Sequence, residues 1–507
     1  MSGGRAVHGE VRAVLCRAVE LYRGHEAGHA LRQELDRMDG PLRVAVAGKV
    51  KAGKSTLLNA LVGEEIAPTD AGECTRVVTW YRYGQQPRVT LHPVTGPLRQ
   101  LSVHREHGAL RLELGGVSPD TVDRLTVDWP AASLRDTVLI DTPGVASAST
   151  DIAAHAVRFL APEEGAGDAD AVIYLMRHLH STDVRLLESF HDNAIGRGNP
   201  LNTVAVLSRA DEVGVGRLDA LQSAHRIAER YRSDERLRGL CGTVVPVAGL
   251  LAQAGRTMRQ QEFAALAALS GAPRSVVEGA LLSVDRFTSA TQRVESALGV
   301  PAAHRAALLD RFGLFGIRLA TVLLRQGFGQ PHELAAELVR RSGVDELRTA
   351  LVTRFTERRD LLKARAALLA LDDVLRRYPH PDAELVSRAV ERIQAGAHEF
   401  AELRVLGALR VGVIGLAPEA GREAERLLGG LGCQPWARLG LGADASRPQQ
   451  RSVAMAALQR WQARAEHPLS GRASIDVARV VMRTCEGLCR ASDTGGPGAK
   501  RLSFPSG

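Results

Sequence analysis

The chain has 507 residues, of which 45% are hydrophobic and 4% aromatic, and it carries a formal net charge of +8. This length predicts about three domains, or one large domain and a sizeable second part, with enough apolar content for packed cores. The six cysteines are scattered, which argues against a disulfide scaffold and for a reducing cytoplasm. No uncharged apolar run reaches about 18 residues, so a membrane-spanning helix is not expected. The basic charge is consistent with an acidic partner, such as phosphate, nucleic acid or an anionic membrane. A general bias of composition toward arginine explains it equally well.

Residues 6–63 predict a helix, a strand, a glycine turn and a second helix. Residues 6–38 have apolar side chains at helical spacing, and Gly40-Pro41 ends that pattern. The stretch LRVAVAG (42–48) predicts a strand, and STLLNALVG (55–63) predicts the helix that follows the turn. The turn between them is therefore placed for phosphate binding at a helix N-terminus.

Strand patterns then dominate up to about residue 250. Several short strands are predicted between residues 76 and 141, followed by AVIYLM (171–176), NTVAVLS (202–208) and TVVPVAG (243–249). Helical segments separate these later strands, and such alternation predicts a doubly wound, mostly parallel sheet. Beyond it, helical periodicity continues to about residue 490.

The phosphate-binding motif is Gly48-Lys-Val-Lys-Ala-Gly53-Lys54-Ser55, in the strand–loop–helix context that the motif requires. Its glycines let backbone N–H groups turn toward phosphate oxygens, and the helix adds the positive end of its dipole. Lys54 is expected to reach the β- and γ-phosphates, and Ser55 to supply a hydroxyl to Mg²⁺.

Two further segments would complete the Mg²⁺ and γ-phosphate site. Asp141-Thr-Pro-Gly144 directly follows the strand TVLID, so the Asp141 carboxylate can hold Mg²⁺ through water and the Gly144 N–H can meet the γ-phosphate. Thr75, in APTDAGECTRVVT (67–79), offers a hydroxyl on a loop between the two motifs. The predicted metal ligands are therefore Ser55, Thr75 and Asp141.

A third segment is placed to recognise the base. Guanine presents adjacent N1–H and N2–H donors that one carboxylate can accept, and Asp211 follows the strand NTVAVL in Ser208-Arg209-Ala-Asp211. Ser208 and Arg209 replace the usual Asn or Thr and Lys, although the Arg209 stem can lie along the base as a lysine stem does. Guanine is favoured over adenine, and VVPVAG (244–249) is the expected position of the last base-contacting loop.

These motifs resemble those of the dynamin superfamily of GTPases. The stretches GKVKAGKSTLLNAL, APTDAGECT and DTPG occur in the superfamily's order and spacing. The segments LSRADEVGVGRLDA and RSGVDELRTALVTRFTERRDLLKA are closer still to bacterial dynamin-like proteins of the isoniazid-inducible group of actinobacteria. The resemblance implies an α/β P-loop GTPase domain with a mostly parallel sheet, plus an α-helical bundle formed by N- and C-terminal helices. It also implies Mg²⁺-dependent hydrolysis of GTP.

On this basis the chain divides into an N-terminal helix of the bundle (1–39), a GTPase domain with helical additions after 250 (40–350), a helical bundle or stalk (351–490) and a disordered tail (491–507). The predicted nucleotide-binding residues are Gly48, Lys49, Val50, Lys51, Ala52, Gly53, Lys54, Ser55, Thr56, Asp141, Gly144, Arg209 and Asp211. The predicted catalytic residues are Lys51, Lys54 and Thr75.

The phosphate loop contains two lysines besides Lys54. Lys49 is expected to point outward as a solvated charge. Val145 follows Gly144, so no glutamine is available there to orient water. The resemblance implies that Lys51 acts as an internal finger, folded onto the phosphates when two GTPase domains meet; alternatively, Lys51 only adds attraction for phosphate.

Two functions remain open at this point. The first is a GTPase that remodels the cytoplasmic membrane from its inner face through GTP-dependent dimerisation. Its candidate lipid contacts are 307–325 and 403–417, for which the alternative of ordinary core helices is favoured. The second is a soluble switch that binds a protein partner without touching lipid. The expected partners are GTP, a second copy, anionic lipids and a related dynamin-like protein, and no nucleic acid is expected.

Overall fold

The computed structural model describes residues 2–69, 77–106, 108–144, 169–193, 200–214 and 216–493. The chain forms two compact units. The larger is His8–Val390, and the smaller combines Met1–Val7 with Glu391–Gly507.

The larger unit is built on a sheet of nine strands among the described residues, and a two-stranded hairpin lies apart from it. The strands are β1 Leu42–Gly48, β2 Thr79–Tyr83, β3 Arg88–Pro93, β4 Arg99–Leu101, β5 His104–Glu106, β6 Ala109–Arg111, β7 Val122–Trp129, β8 Thr137–Asp141, β9 Ala171–Met176, β10 Thr203–Ser208 and β11 Thr243–Val247. Their order is β11-β10-β9-β1-β8-β2-β7-β3-β4, with β5 and β6 forming the hairpin.

The strands from β11 to β8 run parallel. Strand β2 is antiparallel to β8 and parallel to β7, while β3 and β4 continue the sheet in antiparallel fashion. The predicted mostly parallel α/β sheet is therefore confirmed.

The helices are α1 Ser2–Leu21, α2 Glu26–Asp39, α3 Lys54–Val62, α4 Ser181–Asn193, α5 Ala220–Ser233, α6 Glu235–Arg238, α7 Gly249–Arg256, α8 Gln260–Gly271, α9 Arg274–Ala280, α10 Val284–Thr288, α11 Gln292–Leu298, α12 Ala302–Arg325, α13 Pro331–Arg341, α14 Val344–Arg354, α15 Arg359–Arg377, α16 Glu384–Gly396, α17 His398–Val411, α18 Pro418–Leu427, α19 Pro435–Leu439, α20 Arg447–Glu466 and α21 Arg472–Asp493. Short 3-10 turns cover Pro119–Thr121, Ala132–Leu134, Pro200–Asn202, Ala210–Glu212, Thr356–Arg358 and Pro381–Ala383.

Strand β1 is buried on both faces, as expected for the centre of a parallel sheet. Val44 and Val46 pack with helix α3 on one face. Ala45 and Ala47 pack with helix α5 on the other. Both layers therefore cover β1 up to its carboxyl end, where the phosphate loop begins.

The single helix predicted over 6–38 is wrong, because the structure has two helices, α1 and α2. The chain turns between them, where Gly24 has a φ of +79°, a conformation that glycine adopts without steric cost. Helix α2 then packs against α15, where Lys363 donates a hydrogen bond to the carbonyl of Arg37. The division of the chain into functional domains stays a prediction.

The segment 307–325 is part of the packed core, as the favoured alternative predicted. Its buried hydrophobic side chains are Leu308, Phe312, Phe315, Ile317, Leu319, Ala320 and Leu323. Its arginines are also engaged within the larger unit: Arg311 pairs with Glu65 and Glu262, and Arg318 and Arg325 donate to main-chain carbonyls. A lipid contact through this segment is therefore not supported.

The smaller unit packs α17, α18, α20 and α21 together, with Trp461 fully buried among them. From the last residue of α17 to the start of α18 the chain forms an apolar segment, VGVIGLA (411–417), in which Val411 is 52% exposed and Val413 is 77% exposed. Across the described ranges, none of the helices combines the length and apolar character needed to cross a membrane.

Candidate nucleotide-binding site

The phosphate loop leaves β1 at Gly48 and enters helix α3 at Lys54. Within it, the N–H of Ala52 donates to the carbonyl of Lys49 at 3.2 Å and closes a four-residue turn. The third residue of that turn, Lys51, has a φ of +61°, and Gly53 has a φ of +92°. A left-handed conformation costs a residue other than glycine about 1–2 kcal/mol. Lys51 therefore sits where glycine would be favoured on conformational grounds.

Lys54 is folded over its own loop. Its Nζ donates to the carbonyls of Gly48 and Lys49 at 3.3 Å each. Burial lowers the pKa of the Lys54 amine, and the nearby Asp141 carboxylate only partly offsets this. A bound phosphate would favour the charged amine at this position.

Ser55 and Asp141 meet although 86 residues separate them, because Asp141 is the last residue of β8 and Ser55 follows the loop at the carboxyl end of the adjacent parallel strand β1. Ser55 Oγ donates to Asp141 Oδ2 at 2.9 Å. Asp141 Oδ1 is buried and has no hydrogen-bond partner within the described part of the chain. Burial raises the pKa of the Asp141 carboxyl, while Lys54 and Ser55 oppose the shift. A hydroxyl and an unpaired carboxylate oxygen side by side are the hard oxygen donors that suit Mg²⁺.

The Asp-Thr-Pro-Gly turn lies directly against the phosphate loop. The hydroxyl and N–H of Thr142 both donate to the carbonyl of Val46, at 3.0 and 3.3 Å. A Cβ added to Gly144 would lie 2.5 Å from Val50 Cγ2 and 2.9 Å from the Val50 nitrogen. Glycine is therefore required at 144 for this close approach.

The prediction that Lys49 is a solvated outward charge is wrong. Its Nζ pairs with Asp183 Oδ2 at 3.0 Å, near the start of helix α4. The Asp183 side chain is only 1% exposed and also accepts from the Tyr174 hydroxyl at 2.8 Å and the N–H of His180 at 3.1 Å. Burial, together with this carboxylate, raises the pKa of Tyr174. Lys49 therefore anchors the start of the loop, and no local sequence pattern indicates a partner 134 residues away.

A cavity of about 150 Å³ lies beside the loop on the side expected for the base. It is lined by Ala52, Gly53, Thr56, Leu57, Leu175, Val206, Ser208, Arg209, Asp211, Glu212, Val247, Gly249 and Leu250. Asp211 is only 9% exposed, and burial, reinforced by Glu212, raises the pKa of its carboxyl. Val247 and Gly249 belong to the stretch VVPVAG (244–249) that was expected near the base without any of its residues being named, and Leu250 directly follows that stretch.

The two residues that depart from the usual base motif have partners of their own. The Ser208 hydroxyl donates to the carbonyl of Met176 at 3.2 Å. Arg209 borders the cavity, and its Nη2 donates to the carbonyl of Lys51 at 3.0 Å. The structure thus brings the phosphate loop, Asp141, Gly144, Arg209 and Asp211 together. Thr75 lies outside the described residues.

A phosphate loop at the end of a central parallel strand, an Asp-Thr-Pro-Gly turn against it and a buried aspartate beside an adjoining cavity define a P-loop GTPase domain. Residues 44–207 match the dynamin family. The chain is 42% identical over 488 residues to isoniazid-induced protein IniC of Mycobacterium tuberculosis, covering 94% of this chain and 97% of that protein. The chain therefore belongs to the dynamin family, and the resemblance seen in its motifs is confirmed.

Two further comparisons are more limited. A bacterial dynamin-like protein of Nostoc punctiforme is 36% identical over 118 residues, which is 21% of this chain and 17% of that protein. A solved structure of an oligomerised bacterial dynamin pair, said to provide a mechanism for long-range sensing and tethering of membranes, matches 97% of this chain and 74% of its own at 13% identity. Its TM-score of 0.32 is too low to support an inference about this chain.

Proposed function

We propose that this dynamin-family protein binds GTP and hydrolyses it in an Mg²⁺-dependent reaction. The observation that carries the proposal is the Ser55–Asp141 pair, in which one carboxylate oxygen has no hydrogen-bond partner among the described residues and the carboxylate interacts electrostatically with the half-buried Lys54. Family membership and the buried Asp211 in the adjoining cavity support guanine as the base.

The chain's own groups have separate tasks in this proposal. Backbone N–H groups of the loop and the Lys54 amine hold the β- and γ-phosphates, and the N–H of Gly144 meets the γ-phosphate. Ser55 and Asp141, with Thr75 from the preceding loop, would hold Mg²⁺, which neutralises charge on the phosphate oxygens when bound. Asp211 accepts the two donors of guanine.

Lys51 is proposed as the group that stabilises the transition state. It is exposed and keeps a left-handed conformation that glycine would adopt without cost, which argues for a role of its side chain. Such fingers in GTPases are worth on the order of a thousandfold in turnover. A transient dimer of GTPase domains would fold Lys51 onto the phosphates.

The decisive experiment compares Lys51→Ala with the wild type. Binding of GTP and turnover at saturating GTP are measured at low and high protein concentration. We expect affinity within a few-fold of wild type and loss of most of the concentration-dependent turnover. Weaker binding with unchanged saturated turnover would instead assign Lys51 to phosphate attraction alone.

We further propose that the protein acts at the inner face of the cytoplasmic membrane and touches lipid through residues 411–417. Val411 and Val413 expose apolar surface there without a charged partner on the loop itself. Arg410, which precedes the loop, is 8% exposed and pairs with Glu425, so it offers little charge to a headgroup. Insertion of apolar side chains is therefore the expected mode of contact.

Co-sedimentation with anionic liposomes tests this contact. Wild-type protein should pellet in a nucleotide-dependent manner, and Val413→Asp should reduce pelleting strongly. The matched control is Leu98→Asp, which changes a residue of similar exposure (63%) in the turn between β3 and β4. Absence of pelleting by the wild type at low salt in every nucleotide state would favour the soluble switch that binds a protein partner.

A further inference from the structure

Within the described ranges, only two residues other than glycine have a positive φ, and they touch each other. They are Lys51, at +61°, and Arg209, at +53°. Arg209 Nη2 donates to the carbonyl oxygen of Lys51 at 3.0 Å, across 158 residues of sequence. Residues in such sparsely populated conformations persist where the surrounding structure holds them, and they cluster at functional sites.

The guanidinium of Arg209 is itself oriented from its other side. Its Nη1 donates to Glu212 Oε1 at 2.7 Å, and Glu212 also pairs with Arg177, which follows β9. The Arg209 and Glu212 side chains are 38% and 49% exposed, so this pair contributes little to the stability of the fold. The pair instead sets the direction in which the other terminal nitrogen of Arg209, Nη2, points.

We infer that Arg209 is a positioning residue for Lys51, an inference that rests on the proposed role of Lys51 in hydrolysis. By holding the Lys51 carbonyl, Arg209 fixes the backbone conformation from which the Lys51 side chain leaves the phosphate loop. Ser208 does not share this task, because its hydroxyl donates to Met176. Arginine suits this position because its planar guanidinium donates to the Glu212 carboxylate and to the Lys51 carbonyl at the same time. A lysine would offer a single ammonium group instead.

Because Arg209 also borders the base cavity, it connects base binding to the residue that acts on the phosphates. A correctly bound base would hold the aliphatic part of the Arg209 side chain in place. That part carries the guanidinium, which donates to the carbonyl of Lys51. This predicts an effect of Arg209 on turnover that is separable from its effect on affinity.

The test is a double-mutant cycle on saturated turnover, with nucleotide affinity measured alongside. Arg209→Met keeps the apolar stem and removes both donors. It should lower saturated turnover by roughly tenfold in the wild-type background and by less than about twofold in Lys51→Ala. GDP affinity should stay within a few-fold. Arg209→Lys, which keeps one donor, should fall between Arg209→Met and the wild type and provides a milder variant if methionine disturbs folding.

Arg177→Met is the matched control, because it removes the other partner of Glu212 and leaves the Arg209–Lys51 bond in place; its turnover should equal that of the wild type. Weaker GDP binding with unchanged saturated turnover in Arg209→Met would restrict Arg209 to the base and overturn the inference. An equal loss of turnover in both backgrounds would also overturn it, while leaving the proposed function intact. Wild-type turnover of Lys51→Ala alone would instead refute the proposed role of Lys51, and the inference with it.

Discussion

Replacing Lys363 by methionine should change how the stability of the larger unit depends on pH. The Lys363 side chain is 1% exposed; its Nζ donates to the carbonyl of Arg37 and lies 4.0 Å from Asp170 Oδ2. Burial lowers the pKa of this amine from 10.5 to about 8, and Asp170 offsets only part of the effect. Arg359, Arg37 and Arg43 lower it further.

The magnitude follows from that shift. A pKa lowered from 10.5 to about 8 means that the folded state disfavours the charged amine by about 3 kcal/mol. Below about pH 8 both states are protonated, so the full penalty is present. Between about pH 8 and 10.5 the unfolded chain binds the proton more strongly, so the free energy of unfolding rises with pH. The gain is about 1 kcal/mol from pH 7 to pH 9 and about 2–3 kcal/mol by pH 10. The neutral amine can still donate to Arg37.

The assay is urea unfolding of the wild type and Lys363→Met at pH 7, 9 and 10. The transition of the larger unit is identified by its shift with added GDP. The difference in the free energy of unfolding between the two proteins cancels the titration of all other groups to first order. The free energy of unfolding of the wild type should therefore rise relative to that of the variant by the amounts given above. A difference that is constant with pH would refute the reasoning. If the free energy of unfolding of the wild type instead falls relative to that of the variant as the pH rises, Asp170 holds Lys363 charged in an ion pair.

Three further predictions concern the nucleotide site. Lys54→Ala should raise the dissociation constant for GTP at least about tenfold, because each charge-assisted bond contributes about 1.5–3 kcal/mol; titration with a fluorescent GTP analogue measures this, and unchanged affinity would contradict it. Asp211→Asn should shift the preference of the protein from guanine toward xanthine nucleotides, because its amide can donate to the xanthine oxygen. If the variant still prefers guanine in a competition assay, Asp211 does not contact the base. Gly144→Ala places a methyl group 2.5 Å from Val50 Cγ2 and should weaken binding of a GTP analogue by roughly tenfold, with GDP affinity nearly unchanged; an equal loss for both nucleotides would show that Gly144 does not serve the γ-phosphate.

The arrangement of the phosphate side of the site could be predicted from the sequence because each part is local. Gly48 to Ser55 carry their own conformational signature, and the strand and helix around them are equally local signals. Asp141 stands at the end of a strand, and parallel neighbours bring their carboxyl ends to one edge of the sheet. The contact between Ser55 and Asp141 follows from that rule without knowledge of the tertiary structure.

The side-chain partners of the loop could not be predicted in the same way. Lys49 finds Asp183, and Lys51 is held by Arg209, across 134 and 158 residues. Periodicity gives no information on such distant pairs, and a left-handed lysine has no composition signal. The break between α1 and α2 was missed although Gly24 was a visible signal, because the apolar spacing on either side of it remains helical.

The position of β1 at the centre of the sheet has a consequence for how the protein is made. This strand is among the first parts of the domain to leave the ribosome, yet its partner residues on β8 and β9 are roughly 95 and 127 residues further along the chain. At about 5–20 residues per second, the nascent strand waits roughly 5 to 25 seconds for its neighbours. Val44 to Ala47 are apolar on both faces, so during that time the strand presents two unprotected surfaces and two unpaired edges. The native surroundings of the phosphate loop are therefore incomplete until β9 has been synthesised, so the order of synthesis delays formation of the site.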